Sequence, residues 1–337
     1  MAHRNNQRIR TRRIIFWAVV FTVISQIGFS FALPWWHPDT EFRLRKELIQ
    51  ARVAEDPNRP LFVMIGSSRV VGGFNPDDLS DITSTTGQKV LCFNFGHVEA
   101  GPVCNLIQLK RLLHAGIKPK WLIVEIAPMY CADERNLFVH NLSWEDIDTV
   151  ARFHPYQKFT GSFLRNHFLA PWFRYRGDLQ ERYLGEHPPR PVQCNLSSFG
   201  WGGSLEVVEP KQREEWTERA RVMFAPVLGK GFRIAPMAHR AYRELLALCQ
   251  KEHIEVALLM MPEGNNFQSW YTPVAQERLQ EFINELVREY GVAVHDARSW
   301  FDDSFFADSH HLAREGTRQF SQRLEREILR TWICPSK

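Results

Sequence analysis

Polarity along the first part of the chain changes abruptly once. Arg4, Arg8, Arg10, Arg12 and Arg13 precede residues 14–33, twenty positions without a charge in which only Thr22, Ser25, Gln26 and Ser30 are clearly polar. A helix of that length spans about 30 Å, the thickness of a bilayer's hydrocarbon. Residues 39–55 then read as a charged amphipathic helix, broken between Pro57 and Pro60. Beyond this break, short apolar runs alternate with helical periodicity. Strands are predicted over 61–65, 90–95, 121–126, 254–261 and 292–295. Helices are predicted over 102–115, 235–253 and 273–290, with a closing helix over about 314–332. Apolar runs of strand length separated by amphipathic helices imply an α/β fold with a parallel sheet covered on both faces. Ligands of such sheets bind beyond the carboxyl ends of the strands.

Between about residues 131 and 233 the alternation stops. The composition turns aromatic and basic, with Trp144, Phe153, Tyr156, Phe159, Phe163, Phe168, Trp172, Phe173 and Tyr175. The stretch ends in Pro188-Pro189-Arg190-Pro191 and Gly200-Trp201-Gly202-Gly203. We read it as an insertion of helices and loops over the sheet's active edge. Its rings suit stacking on sugars, and equally a hydrophobic lid packing on its own domain. The expected organisation is a basic cytoplasmic tail (1–13), a transmembrane anchor (14–33), a juxtamembrane helix and linker (34–58), and a main domain (59–332) carrying the insertion.

Charge supports that division. The formal net charge is +4, but removing the five N-terminal arginines from 42 basic residues leaves 37 against 38 acidic ones. The body is thus near neutral and carries no nucleic-acid signature. Arginines before the apolar run predict a cytoplasmic N-terminus, and Trp35 and Trp36 after it suit the far interface. The main domain is then extracytoplasmic, periplasmic in a Gram-negative cell. A cleaved signal peptide is the alternative, because Ser30-Phe31-Ala32 has the small-x-small pattern of a cleavage site. Six cysteines allow disulfides in an exported domain, but Cys92 sits in an apolar strand pattern and Cys249 in a helical one, which favours buried free thiols. There is no C-x-x-C pair.

The chemistry lies at two distant points. The first predicted strand ends at Gly66-Ser67-Ser68-Arg69, which offers a serine at the sheet's carboxyl edge. Near the C-terminus, Asp308 and His311 are spaced so that one short loop can aim both at that serine. A hydroxyl nucleophile, an imidazole that takes its proton and a carboxylate that orients the imidazole form a Ser-His-Asp site. Taken singly, Gly-Ser-Ser is a turn and Asp-x-x-His a helix cap; their order and spacing carry the joint reading. His310 and His311 with Asp308, or His295 with Asp296, would be the metal-ligand alternative. No third ligand stands at a telling distance, so neither a metal nor a cofactor is expected. Asp296 is expected to end the last strand and support the loop carrying Asp308 and His311. Arg69 is open to two roles, structural tether or contact to an anionic substrate. His97 and Glu263 are expected near the cleft without assigned roles.

These blocks resemble those of the GDSL/SGNH hydrolase superfamily, and more narrowly its membrane-anchored branch of bacterial cell-envelope polysaccharide O-acetyltransferases. Gly66-Ser67-Ser68 matches the family's Gly-Asp-Ser block, with Ser68 at the nucleophile position and Ser67 in place of aspartate. Asn94-Phe95-Gly96 matches the second block, and Asp308, His311 and Gly316 match the last. The resemblance covers about residues 61–129 and 235–329, not the insertion. It implies a flavodoxin-like three-layer α/β sandwich, and an oxyanion held by the Ser68 and Gly96 amides in a site including Asn94, Ser67 and Arg69. It also implies an acyl group, acetyl in that branch of the family, moved on an envelope polysaccharide or glycan, with an integral membrane acyltransferase as partner. The third block, Gly-x-Asn-Asp, has no counterpart: Val124-Glu125-Ile126 runs into Ala127-Pro128-Met129. A non-catalytic accessory that binds polymer or partner is the reading from another class, and a secreted lipase a third.

Overall fold

The computed structural model describes residues 2–36, 40–132, 196–204, 209–229 and 231–334, together with Asp146, Thr149, Arg152 and Phe153. Most of the aromatic insertion therefore lies outside the described residues. The chain divides into two compact units, one comprising Met1–Thr40 with Ser143–Pro191 and the other Glu41–Leu142 with Val192–Lys337.

In the first unit, α1 (Ala2–Trp36) is a single helix enclosing the predicted apolar run. Its segment Arg10–Gly28 is long and apolar enough to cross a membrane, and Ile14, Phe16, Trp17 and Phe21 are exposed.

The second unit begins in α2 (Thr40–Glu55) and contains a five-stranded parallel sheet. The strands are β1 (Leu61–Ile65), β2 (Leu91–Asn94), β3 (Trp121–Glu125), β4 (Glu255–Met260) and β5 (Ala293–Asp296), in the spatial order β2-β1-β3-β4-β5. All predicted strands form, each end within one residue of the predicted one. Every residue of β1, β2 and β3 is buried, which is why these strands read as unbroken apolar runs and not as alternating ones.

Helices supply the cover. On one face, Phe62 and Met64 of β1, Trp121 and Ile123 of β3 and Ala257 and Leu259 of β4 share a core with Val70 and Phe74 beyond β1 and with Phe320, Leu324 and Ile328 of the closing helix. The alternate strand residues face the other way. Helix α3 (Ser68–Gly73) follows β1 directly, and α4 (Pro102–His114) links β2 to β3. A short α5 (Pro128–Cys131) follows β3, and α6 (Pro210–Leu228) and α7 (Pro236–Lys251) precede β4. Helices α8 (Asn265–Gln268) and α9 (Pro273–Tyr290) lie between β4 and β5. The closing element, predicted as one helix, is α10 (Arg314–Leu324), a π-helical turn (Glu325–Leu329) and α11 (Arg330–Ile333). Glu325 explains the wide turn: its carboxylate accepts from the Ser80 N–H (2.9 Å) and from Arg330 five residues on.

The chain runs from β1 out to β2, then returns to place β3 on the other side of β1. This reversal places a topological switch point at the carboxyl ends of β1 and β3, where doubly wound sheets bind ligands. Among the described residues Cys92, Cys131, Cys249 and Cys334 form no disulfide, and burial pushes the Cys92 and Cys249 thiols up to about 12. These two are inert core groups, as their sequence contexts imply.

Candidate active site

Strand β1 ends at the switch point and the chain turns at Gly66 into α3. A Cβ on Gly66 would lie 2.5 Å from Glu125 Oε2 and from Val70 Cγ2, so only glycine permits this turn. Ser67 is the N-cap of α3: its hydroxyl accepts from the Arg69 N–H. The sequence shows only a turn here, because six residues are too few to display helical periodicity. Ser68 opens the helix and is half-buried, while Ser67 and Arg69 on either side are buried.

The distant loop meets Ser68 directly. Ser68 Oγ lies 2.9 Å from His311 Nε2, and His311 Nδ1 lies 2.7 Å from Asp308 Oδ2. Asp308 Oδ1 accepts the N–H groups of His310 and His311, both at 2.7 Å, so the loop wraps its own carboxylate. Burial pushes the Asp308 carboxyl up, but the neighbouring His311 and His310 and these donated bonds outweigh it and hold the group well below the usual carboxylate range. Asp308 thus stays ionised at any working pH, as an orienting carboxylate must. A base with its orienting group and a hydroxyl in line can activate an oxygen nucleophile.

Asp308, His310 and His311 bring their ligand atoms within 4.8 Å of one another. His311 spends both ring nitrogens on Asp308 and Ser68, so the cluster fits a proton relay better than a cation. His295 and Asp296 do not join it: Asp296 ends β5 as expected and is paired with Arg298 at 2.7 Å.

The remaining expected site residues have structural roles. Asn94 is fully buried; its Nδ2 donates to the carbonyls of Val70 (2.8 Å), Val71 (3.3 Å) and Phe74 (2.6 Å), stapling α3 to the end of β2. Its Oδ1 accepts the Gly96 N–H at 2.9 Å. The Gly96 amide, expected to face an oxyanion, is thus engaged by Asn94 in this structure. Gly96 is glycine for space, since a Cβ would meet the Val71 nitrogen at 2.8 Å. Among the described residues no acceptor takes the Ser68 N–H, which leaves it as the nameable oxyanion donor.

Arg69 is a tether, not an exposed anion contact. It is 2% exposed and pairs with Glu125 (Nε to Oε1, 2.7 Å) and Glu263 (Nη1 to Oε1, 3.0 Å). Glu125 also accepts the Ser67 N–H, and Glu263 accepts the Tyr271 hydroxyl at 2.9 Å. Burial raises the Glu263 carboxyl, with Arg69 opposing it. Glu263 is fully buried and so does not line the cleft; His97 is half-buried. Sequence reasoning passed over Glu125, although an acidic residue closing an otherwise apolar strand is a visible signal.

Helix α6 lies within the predicted insertion. Its Trp216 packs against Ala307 and Ala313, which flank the Asp308–His311 loop, and its Phe224 meets the His310 ring at 5.3 Å. The Gly200-Trp201-Gly202 turn is likewise docked: the Asn94 N–H donates to Phe199 O (2.9 Å), the Gly202 N–H to Val71 O (3.1 Å) and Trp201 Nε1 to Gly72 O (2.9 Å). Gly200 sits at φ +82°, where a Cβ would collide with the Asn94 carbonyl.

With this geometry established, the chain can be compared with known proteins. A family model described as "Protein of unknown function (DUF1574)" matches residues 39–175, which include Ser68 but not Asp308 or His311. No curated protein matches the chain. Among solved structures, a "putative acylhydrolase" from Bacteroides fragilis aligns at 11% identity with a TM-score of 0.39, covering 82% of this chain and 89% of that one.

Proposed function

We propose that this protein is a membrane-tethered serine acyl hydrolase or acyltransferase of the SGNH type, acting on O-acetyl groups of an envelope polysaccharide. The observation that carries the proposal is the continuous Ser68–His311–Asp308 relay, with links of 2.9 and 2.7 Å, at the switch point of a parallel sheet. Ser68 Oγ attacks the acyl carbonyl and its proton passes to His311 Nε2. Asp308 stabilises the imidazolium, and the proton then goes to the leaving alkoxide as the acyl–oxygen bond breaks. Water or a sugar hydroxyl, deprotonated by His311, resolves the acyl-enzyme. The apolar helix α1 supports tethering, and the choice of glycan rests on the family resemblance.

The Ser68 N–H is the only donor named for the oxyanion, and each missing donor typically costs about 2.7–4 kcal/mol of transition-state stabilisation. Slow turnover of simple esters is therefore expected. The commitment of Gly96 to Asn94 favours the second reading, a non-catalytic polymer- or partner-binding accessory. Treating the full-length protein in detergent with a fluorophosphonate probe separates the two. Adduct on Ser68, lost in Ser68→Ala and His311→Ala but kept in Ser67→Ala, supports the hydrolase; an unlabelled folded protein supports the accessory.

A further inference from the structure

The two halves of the relay come from segments far apart in sequence, and a chain of buried polar contacts joins them behind the reacting atoms. It starts at the nucleophile turn, where the Ser67 N–H and Arg69 Nε both donate to the Glu125 carboxylate. Glu125 is itself fixed, since its carbonyl accepts the Tyr242 hydroxyl at 2.8 Å and its carboxylate fills the space beside Gly66. The guanidinium then reaches across to Glu263 through Nη1. Glu263 is clamped by the Tyr271 hydroxyl on its carboxylate and by Gln268 Nε2 on its carbonyl (2.7 Å). The next residue completes the path: the Gly264 N–H donates to the Ser309 carbonyl at 2.9 Å, inside the loop that carries Asp308 and His311.

Buried ions are expensive. Arg69, Glu125 and Glu263 are at most 2% exposed, and Arg69 Nη2 and Glu263 Oε2 find no hydrogen-bond partner. Apolar side chains of similar volume commonly serve stability as well as or better than such a cluster. What apolar packing cannot supply is directional fixing of two loops by one planar group that donates on two edges.

We infer that Arg69 is a positioning residue that locks the nucleophile turn, through Glu125, to the acid-base loop, through Glu263 and Gly264, and so sets the Ser68–His311 separation. The inference rests on the proposed reading of Ser68 as nucleophile and His311 as base. Lysine carries the charge but not the two-edged donor, so Arg69→Lys restores the function only in part.

The test measures the kinetics of fluorophosphonate labelling on full-length protein in detergent, resolved into probe affinity (KI) and the bond-forming step (kinact). Arg69→Met leaves two buried carboxylates unpaired and is prone to misfold. The neutral triple variant Arg69→Met/Glu125→Gln/Glu263→Gln therefore stands beside it, with Arg69→Lys as the most conservative change. For the triple variant we expect a single melting transition, unchanged KI and kinact lower by about 100-fold, the scale of a misplacement near 1 Å. Arg69→Lys falls between it and wild type, and decides the matter if it alone folds. Wild-type kinact in the folded variants overturns the inference. An unlabelled wild-type protein would instead defeat the hydrolase reading. The strut is then judged by crystal structures: a Ser68 Oγ–His311 Nε2 distance in the variant unchanged from the wild-type distance overturns it, and a break of this contact upholds it.

Discussion

At the scale of single residues, His310 and His311 are chain neighbours with ring centroids 4.0 Å apart, yet they are held in opposite ways. His311 has its two nitrogens engaged. His310 is 7% exposed and wedged against Phe224 and Phe267; its Nδ1 makes no hydrogen bond but lies 3.3 Å from Asp308 Oδ1, whose charge opposes the effect of burial. Burial, with His311 adding to it, pushes the His310 imidazole down to about 3. Its stability linkage follows from that depression. Between about pH 6.5 and 3 the unfolded chain protonates this histidine and the folded one does not, so the folded state loses stability as pH falls through that window. From pH 7 to pH 5 the loss is about 2 kcal/mol in order of magnitude. Replacing His310 with phenylalanine keeps an aromatic ring among aromatic rings and removes the titration. We expect the melting temperature of His310→Phe to fall less than that of the wild type over this pH interval; parallel falls in calorimetry would show that His310 is already charged in the fold. Asp308 acts at the far acid end. Because its folded value is depressed, its contribution is present above about pH 4 and lost only below it.

At the scale of elements, α6 is a described part of the insertion that reaches the loop carrying Asp308 and His311. Trp216 and Phe224 are two turns apart on one face, which fits a helix strapped across residues 307–313. Phe224→Ala removes the ring that touches Tyr130, Phe267 and His310. It should raise amide exchange in residues 210–228 and 307–313 and leave the sheet protected. Equal exchange in wild type and variant would mean that the helix is held elsewhere. The strap was hidden in the sequence because residues 210–228 begin as a charged run, and only Trp216, Phe224 and a few neighbours mark the inner face. The strands and long helices were legible for the opposite reason. Each buries enough apolar surface to impose a period, and Pro102, Pro236 and Pro273 mark helix starts at first-turn positions. Ser68, Asp308 and His311 could be paired from the order of their blocks. The Arg69–Glu125–Glu263 strut could not, since ion pairs between distant segments leave no local pattern. The Gly96 amide was assigned to the oxyanion because sequence cannot show that Asn94 already holds it.

At the scale of the whole molecule, the remaining question is whether α1 stays attached. Residues 10–28 display Ile14, Phe16, Trp17, Phe21 and Ile24 to the outside, all more than half exposed, in a helix long and apolar enough to cross a membrane. A signal sequence passes the same test before it is cut, so apolarity alone does not separate the two fates. The backbone is helical through residues 30–36, across the Ser30-Phe31-Ala32 pattern. Five arginines precede the apolar run, as they do in both an anchor and a signal sequence. We expect the protein to resist alkaline carbonate extraction from membranes and to show the full 39.4 kDa by intact mass. A mature N-terminus at Leu33, with release into the soluble fraction, would establish cleavage. That outcome would leave the relay untouched but remove the reason to seek an acyl donor within the membrane, and would turn the search towards hydrolysis of a soluble ester.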